Sequence, residues 1–422
     1  MRANDDHPLT TQQIVQAGLC IGCGLCQSVV GEDRLALVLT PEGRERPVPV
    51  DRLSREEDEI INAICPGLKV EGARQAELAP GTPVDTIWGP AAALAVGHAG
   101  NPDVRHRCSS GGVLTALGQY LLSSGRVDFI LHVKAKPGFP MRTEQTLSFD
   151  AEAVLEAAGS RYGPAAPLLD FEAALSRERP FAVIAKPCDI NAIRNLSQLD
   201  ERVAEYLRYT LVFVCGGASD LAKSEEVLRD FGMTEDQLRL FRYRGYGNPG
   251  LTCVETAERS EALTYRDMWA EESKWMIQPR CKICPDAIGE AADIAASDFW
   301  PGGGPTGEDE GFNGIIVRTA RGRELFDAAI ADGAIVIDRE TTFREFDVMQ
   351  PHQVRKKRAV WARYQGMAAA GLPVPETIDL RIDACARQND AATNLREARG
   401  ARLRAREGRL GEPLPRRRNP KG

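Results

Sequence analysis

The apolar positions change period along this chain, and the changes mark its elements. The stretch ALAVGHAG, from Ala93, alternates and ends in turn residues, which predicts a strand. VLTALGQYLLSSG, from Val113, repeats at helical spacing and predicts a helix; VDFILHV predicts a strand and EAVLEAA a short helix leading into GSRYGPAAP. FAVIAKPCD and YTLVFVCGG are nearly continuous apolar, β-rich runs, each closing on a cysteine. Such runs alternating with helices imply an α/β sheet covered on both faces. After about Phe241 the pattern turns irregular up to GFNGIIVRT, and helical and strand pieces continue to about Ile378.

The flanks read differently. From about Gln12 to Gly81 regular structure is sparse, with a short helix over Glu56 to Ile64, and PGTPVDTIWGP reads as a linker. From Asp379, and above all from Asn394, the chain is arginine-rich and reads as a solvated helix followed by a disordered tail, or else as a docking surface for an acidic partner. The expected division is therefore a small module over residues 1–81, a core over 82–378 and a basic helix and tail over 379–422.

Composition narrows the class. A charged fraction of 27% and a hydrophobic fraction of 43% suit a soluble globular enzyme. A net charge of -7 argues against general nucleic-acid binding. The opening MRANDDHPLT is polar and no apolar run is long enough to span a bilayer, so a cytoplasmic, reducing compartment is expected. Eleven cysteines in that setting point to metal or redox chemistry rather than disulfides.

Cys20, Cys23 and Cys26 in LCIGCGLCQ, followed by Cys65 in AICPG, have the spacing that wraps a cubane iron–sulfur cluster. Gly22 and Gly24 relieve the crowding of that tight winding, and the short helix before Cys65 delivers the fourth thiolate. A zinc knuckle is the alternative, although zinc sites usually pair two C-x2-C hooks. A second set lies in the core: Cys188 and Cys215 each follow an apolar strand, and Cys281 and Cys284 form a C-x2-C hook in PRCKICPD. Ligands collect beyond the carboxyl ends of strands in open α/β sheets, so these four suit a second 4Fe-4S cluster, with buried structural cysteines as the alternative.

HRCSSGG opening a helix is a candidate anion site, since free N–H groups and the helix dipole favour a phosphate there; a plain serine cap explains it equally. Cys108 reads as a packed thiol. GYGNPG matches G-x-G-x-x-G only in letters, because Pro249 and the strand-like LTCVETA after it do not open a helix. With Arg242 and Arg244 it reads as a basic loop near a polar ligand. His98, His106 and His132 form no catalytic pattern and read as structural.

Taken together, CIGCGLC…CPG, RCSSGGVLTALGQYLL, GSRYGPA, IAKPCDINAIR, VCGG and RCKICPDAIGEAADIAASDFW resemble the beta-subunit family of deazaflavin (coenzyme F-420)-reducing hydrogenases and formate dehydrogenases. That family includes the ferredoxin-dependent reductases of chlorophyll metabolism, and the likeness runs from Cys20 to Asn313. It implies an α/β flavin-binding core with a small N-terminal ferredoxin-like iron–sulfur module, carrying FAD and two 4Fe-4S clusters. It implies that Ser109, Ser110, Gly111, Gly112, Ser160, Arg161, Tyr162, Lys186 and Pro187 lie around the flavin, and that Cys188, Cys215, Cys281 and Cys284 hold the core cluster. Asp286 and Asp293 match an acidic pair after the C-x2-C hook. Lys186 and Arg161 are the candidates to stabilise a reduced flavin anion.

The expected activity is ferredoxin-dependent: electrons from a ferredoxin or another iron–sulfur donor pass through both clusters to FAD and on to a small-molecule two-electron acceptor. An electron-transfer subunit of a hydrogenase- or formate-dehydrogenase-like complex reducing a deazaflavin is the first alternative, and a non-redox zinc-binding interaction protein the second. Either a homo-oligomer or a hetero-complex fits.

Overall fold

The computed structural model describes residues 7–417 apart from residues 270, 272–273 and 306. Eight strands form its main sheet: β1 (Ala93–Ala99), β2 (Phe129–Lys136), β3 (Phe139–Ser148), β4 (Phe181–Ala185), β5 (Leu207–Phe213), β6 (Ile294–Asp298), β7 (Asn313–Val317) and β8 (Ile335–Glu340). Their spatial order is β8-β1-β7-β6-β5-β4-β2-β3. The middle four, β6, β5, β4 and β2, run parallel. Antiparallel neighbours extend both edges: β7, β1 and β8 on one side and β3 on the other.

The continuous apolar runs have the cause expected of them. Phe129, Phe181, Val212, Ala295 and Ile316 enter the core on one face of the sheet. Their chain neighbours Ile130, Ala182, Leu211, Ile294 and Ile315 enter a second core on the other. A strand buried on both faces has no position for a polar residue, so alternation disappears. Helix α1 (Val113–Ser123) and helix α3 (Ala320–Ala331) cover the second face through Leu117, Leu121, Leu325 and Phe326. Helix α2 (Pro187–Leu196) covers the first through Ile190, Ile193 and Leu196. Each fully buried side chain of this size contributes about 1.5–3 kcal/mol against exposure.

The flanking segments do not stand apart from the core. Ile21, Cys23, Leu25 and Ile64 belong to the same buried cluster as Phe129 and Phe181. Another cluster joins Ile14, Leu19, Leu35 and Ile61 to Val360, Tyr364, Ala401 and Leu410 from the other end of the chain. The short strands Lys69–Glu71 and Glu376–Ile378 pair in parallel.

The arginine-rich end is correspondingly not a free tail up to Arg417. Helix α5 (Ala391–Arg406) packs on helix α4 (Pro351–Ala368) so closely that a Cβ on Gly366 would lie 2.1 Å from the Ala398 carbonyl oxygen. Arg396, Arg399, Arg402 and Arg406 are exposed and Arg404 is half-buried, while Ala401 and, beyond the helix, Leu410 are buried. Among the described residues no helix is long and apolar enough to cross a membrane.

Candidate metal centres

The first cysteine set is built by two elements. Gly22 and Gly24 hold φ of +69° and +90°, and a Cβ on either would lie 2.3 Å from the Glu45 oxygen or 2.8 Å from the Leu169 nitrogen. Only glycine lets the loop pass there, so Cys20, Cys23 and Cys26 wind around one space. Cys65 ends the helix Arg55–Ile64, which opens with a Ser54–Glu57 capping box. The four cysteines line one cavity of about 480 Å³, open space at its mouth included, with Ile14, Leu25, Ile61 and Ile64.

The second set comes from three places, as its spacing predicts. Cys188 lies in the first turn of α2, just beyond β4, and Cys215 just beyond the neighbouring strand β5. Cys281 lies in the short 3-10 turn Pro279–Ile283 and Cys284 closes it. All four line a cavity of about 310 Å³ that also touches Lys186, Pro187, Asp286 and Lys356. Ile21 lines both cavities, so the two sets share a wall.

The donor chemistry fits iron–sulfur clusters. Four cysteines around each cavity match the four thiolates of a 4Fe-4S cluster; four thiolates also suit a zinc ion, and among the described residues no three cysteine, histidine or acidic side chains close around a single ion position. Burial pushes the thiols of Cys20, Cys23, Cys26, Cys188 and Cys281 upward, and those of Cys65 and Cys215 up to about 12. Without a cation these thiols stay protonated, and metal binding must release protons. Backbone N–H groups already point at two sulfurs: Gly22 donates to Cys20 and Ala218 to Cys281, each at 3.3 Å. Such bonds tune cluster potential.

Charges around the cavities are unequally balanced. Arg46, fully buried, gives Nε and Nη2 to Glu412, both at 2.8 Å, and Nη2 to Gln278 at 2.9 Å. Lys186 pairs with Asp189 at 2.8 Å. Asp286 accepts from the Glu290 nitrogen and from Asn191, and Glu290 pairs with Lys357 at 2.6 Å and with Arg381. Asp293 accepts from Thr210 and, at 2.5 Å, from the Thr319 hydroxyl, which ties β5 to the start of α3. The acidic pair thus fixes the frame around the second set.

The segments expected around a flavin meet; their hydroxyls are bonded within the protein, whereas the N–H groups of Ser110, Gly111 and Gly112 have no hydrogen-bond partner among the described residues. The Ser160 nitrogen donates to Ser109 Oγ at 2.8 Å, and Ser110 Oγ donates to the Phe312 oxygen at 2.8 Å. The Val113 nitrogen, at the start of α1, donates to Asn313 Oδ1 at 3.1 Å. A Cβ on Gly111 would lie 2.7 Å from the Asn313 nitrogen and 2.8 Å from the Gly97 oxygen, so the backbone packs closely on that side. Gly112 holds φ of +78° as the helix cap, close to Ala99 and Val104.

The two proposed flavin-anion stabilisers are engaged elsewhere. Arg161 donates to the oxygens of Pro140, Arg142 and Phe241 and to Thr143 Oγ1, buckling the β2–β3 hairpin to the strand Leu240–Arg242. Lys186 and Pro187 face the second cysteine cavity. Tyr162 does reach a shared centre, formed by a residue that the sequence left in a loop. Arg244, buried, donates to the Ser109 oxygen at 2.5 Å, to Tyr162 Oη at 3.2 Å and to Asp298 at 3.0 Å, between the rings of Tyr265 and Trp300. The second arginine of FRYRGYGNPG was its only sequence signal.

The remaining thiols are packed: Cys108 meets Thr115 at 3.3 Å, Cys253 takes a bond from Arg242, and Cys385 donates to the Thr86 oxygen. His132 is buried on Ser148 and His98 meets the Ala99 oxygen, in keeping with structural roles.

Comparison with known proteins matches residues 94–171 to the N-terminal part of the family described as coenzyme F420 hydrogenase/dehydrogenase, beta subunit, and residues 178–342 to the C terminus of the same family. An uncharacterized protein of Methanocaldococcus jannaschii is 23% identical over 59% of this chain and 66% of its own length. The F420-dependent formate dehydrogenase subunit beta of the same organism is 26% identical over 56% of this chain and 58% of its own length. Its coenzyme F420-dependent sulfite reductase is 24% identical over 75% and 47%. The chain therefore spans about half to two thirds of the length of these relatives. A chain of the F420-reducing [NiFe] hydrogenase complex of Methanosarcina barkeri superposes with a TM-score of 0.48 at 18% identity, over 65% of this chain and 94% of that one.

Proposed function

Because the chain belongs to the coenzyme F420 hydrogenase/dehydrogenase beta-subunit family, we propose that it is an iron–sulfur flavoprotein oxidoreductase. In this reading it passes electrons from a ferredoxin-like donor through two 4Fe-4S clusters toward FAD and a two-electron acceptor. The observation that carries the reading is the pair of four-cysteine cavities with Ile21 as their common wall.

Cys20, Cys23, Cys26 and Cys65 would hold the first cluster and Cys188, Cys215, Cys281 and Cys284 the second, supplying one-electron chemistry at each. The protein's own part is to exclude water with Ile14, Leu25, Ile61 and Ile64, and to aim the N–H groups of Gly22 and Ala218 at sulfur. It also fixes the distance between the sets by packing them on one core. FAD would be held around Ser109–Gly112 and Tyr162, where the hydroxyls of Ser109 and Ser110 are bonded internally but the N–H groups of Ser110, Gly111 and Gly112 have no hydrogen-bond partner among the described residues.

A role as a subunit is the second reading. Relatives named as formate dehydrogenase and hydrogenase beta subunits favour it, with a deazaflavin as acceptor.

The test is electron delivery. Cys23→Ser removes a thiolate of the first set and is expected to abolish reduction by a reduced ferredoxin while leaving reduction of the second set by dithionite intact. Equal loss with both donors, in protein that retains the second cluster, contradicts the assigned order. Co-purification of unrelated subunits from the native host separates the second reading from the first.

A further inference from the structure

Arg280 is anchored to both cysteine sets. It precedes Cys281 in the turn Pro279–Ile283 and is 3% exposed. Its Nη2 donates to the oxygen of Pro66, the neighbour of Cys65, at 2.9 Å. Its Nη1 reaches the oxygen of Ile283, the neighbour of Cys284, at 3.5 Å. The guanidinium thus lies between a ligand loop of the first set and the hook of the second.

Its charge is not offset as that of Arg46 is. Arg46 meets the Glu412 carboxylate. The groups facing Arg280 are the Tyr364 phenol and the thiols of Cys284, Cys188 and Cys281, and Cys65 faces it from the first set. Its only hydrogen-bond acceptors among the described residues are the two carbonyl oxygens. Burying a cation without a counter-charge is costly, and negative charge on bound clusters is the compensation this position offers.

We propose that Arg280 is a positioning residue whose buried charge, without a carboxylate partner among the described residues, raises the reduction potentials of both clusters together and keeps the pair in step for transfer across Ile21. The proposal rests on the two-cluster reading. A buried positive charge stabilises the more negative, reduced state of any redox group near it. Because Arg280 touches the neighbours of Cys65 and Cys284 at once, removing its charge must act on both clusters, and a charge-keeping substitution separates the charge from the bonds to the two carbonyl oxygens.

The experiment is a potentiometric titration, followed by electron paramagnetic resonance, of anaerobically purified wild-type, Arg280→Gln and Arg280→Lys proteins. In Arg280→Gln the ratio of oxidised to reduced form at a fixed applied potential is expected to rise at least tenfold for each cluster, a downward shift of about 59 mV for a one-electron couple. Arg280→Lys, which keeps the charge, is expected to recover more than half of both shifts. A shift of one cluster alone, or of neither, overturns the proposal. If Arg280→Gln fails to retain both clusters, Arg280→Lys decides. Retention of both clusters at near wild-type potentials supports the charge role. Loss of a cluster there too makes Arg280 a strut for the two carbonyl oxygens and overturns the proposal. Absence of two cluster signals in the wild type is a different failure, that of the two-cluster reading itself.

Discussion

Glu412→Gln is the sharpest test of how the end of the chain closes over the first cysteine set. In the wild type four buried or half-buried charges balance: Arg44 with Asp220 at 2.7 Å, and Arg46 with Glu412 at 2.8 Å. The Arg46 and Glu412 side chains are 0% and 3% exposed, so water cannot take over either partner's bonds. Arg44 reaches Glu412 at 3.3 Å but keeps Asp220, so the loss falls on Arg46. Removing one partner of a buried pair costs about 3–5 kcal/mol, a large share of a total stability of about 5–15 kcal/mol.

Urea denaturation under anaerobic conditions, followed by circular dichroism, reads the cost as a lower midpoint. Replacing both partners by apolar residues, Arg46→Met with Glu412→Leu, should return at least half of it, because no charge is then left stranded. The first set should also lose its iron before the second, since Arg46 lies beside Cys20. A Glu412→Gln protein within about 0.5 kcal/mol of wild type, the range of an ordinary surface change, refutes the clamp. So does a double variant as unstable as the sum of its parts.

Three further outcomes follow from the geometry. Gly111→Ala should destabilise flavin-free protein by about 1–3 kcal/mol, because its Cβ meets backbone atoms of Asn313 and Gly97; stability equal to wild type in urea denaturation would refute that close packing. Burial, with Lys134 nearby, pulls the His132 imidazole down to about 4. The unfolded chain, titrating near 6.5, then binds more protons between those values, so stability is lost as pH falls. The loss from pH 7 to pH 5 is about 2 kcal/mol, and denaturation of His132→Gln should lack that component. Arg244→Gln leaves Asp298 without its partner and frees the Ser109 oxygen; it should cost about 2–4 kcal/mol and raise proteolysis around Ser109, whereas Arg242→Gln, whose guanidinium lies over the Tyr246 ring, should cost under about 1 kcal/mol.

What the sequence disclosed was local chemistry. The runs FAVIA and LRYTLVF were legible as strands because both faces are buried, and the cysteines after them because two neighbouring parallel strands end at the same edge. Strand β6 was hidden within the irregular stretch, since IAASD is short, alanine-rich and polar at its end. The antiparallel edges were invisible for a related reason: a buried antiparallel strand such as β7 has the same continuous apolar composition as a parallel one. The arginine-rich end misled because composition reports the exposed face of α5, while its packed face rests on two small residues, Ala398 and Ala401, against Gly366. Arg280 and Arg46 escaped notice, and Arg244 was legible only as part of a basic loop. Each owes its role to partners 54 to 366 residues away, and no local pattern encodes such a partnership.

The central claim is that two separate four-cysteine sets each hold a cubane cluster. Iron, zinc and acid-labile sulfide quantified in protein purified without oxygen from iron-replete cells test it most directly. Two 4Fe-4S clusters predict about eight iron and eight sulfide per chain, with zinc at background. Four iron and four sulfide would remove one of the two sets, and stoichiometric zinc without sulfide would contradict the redox account altogether.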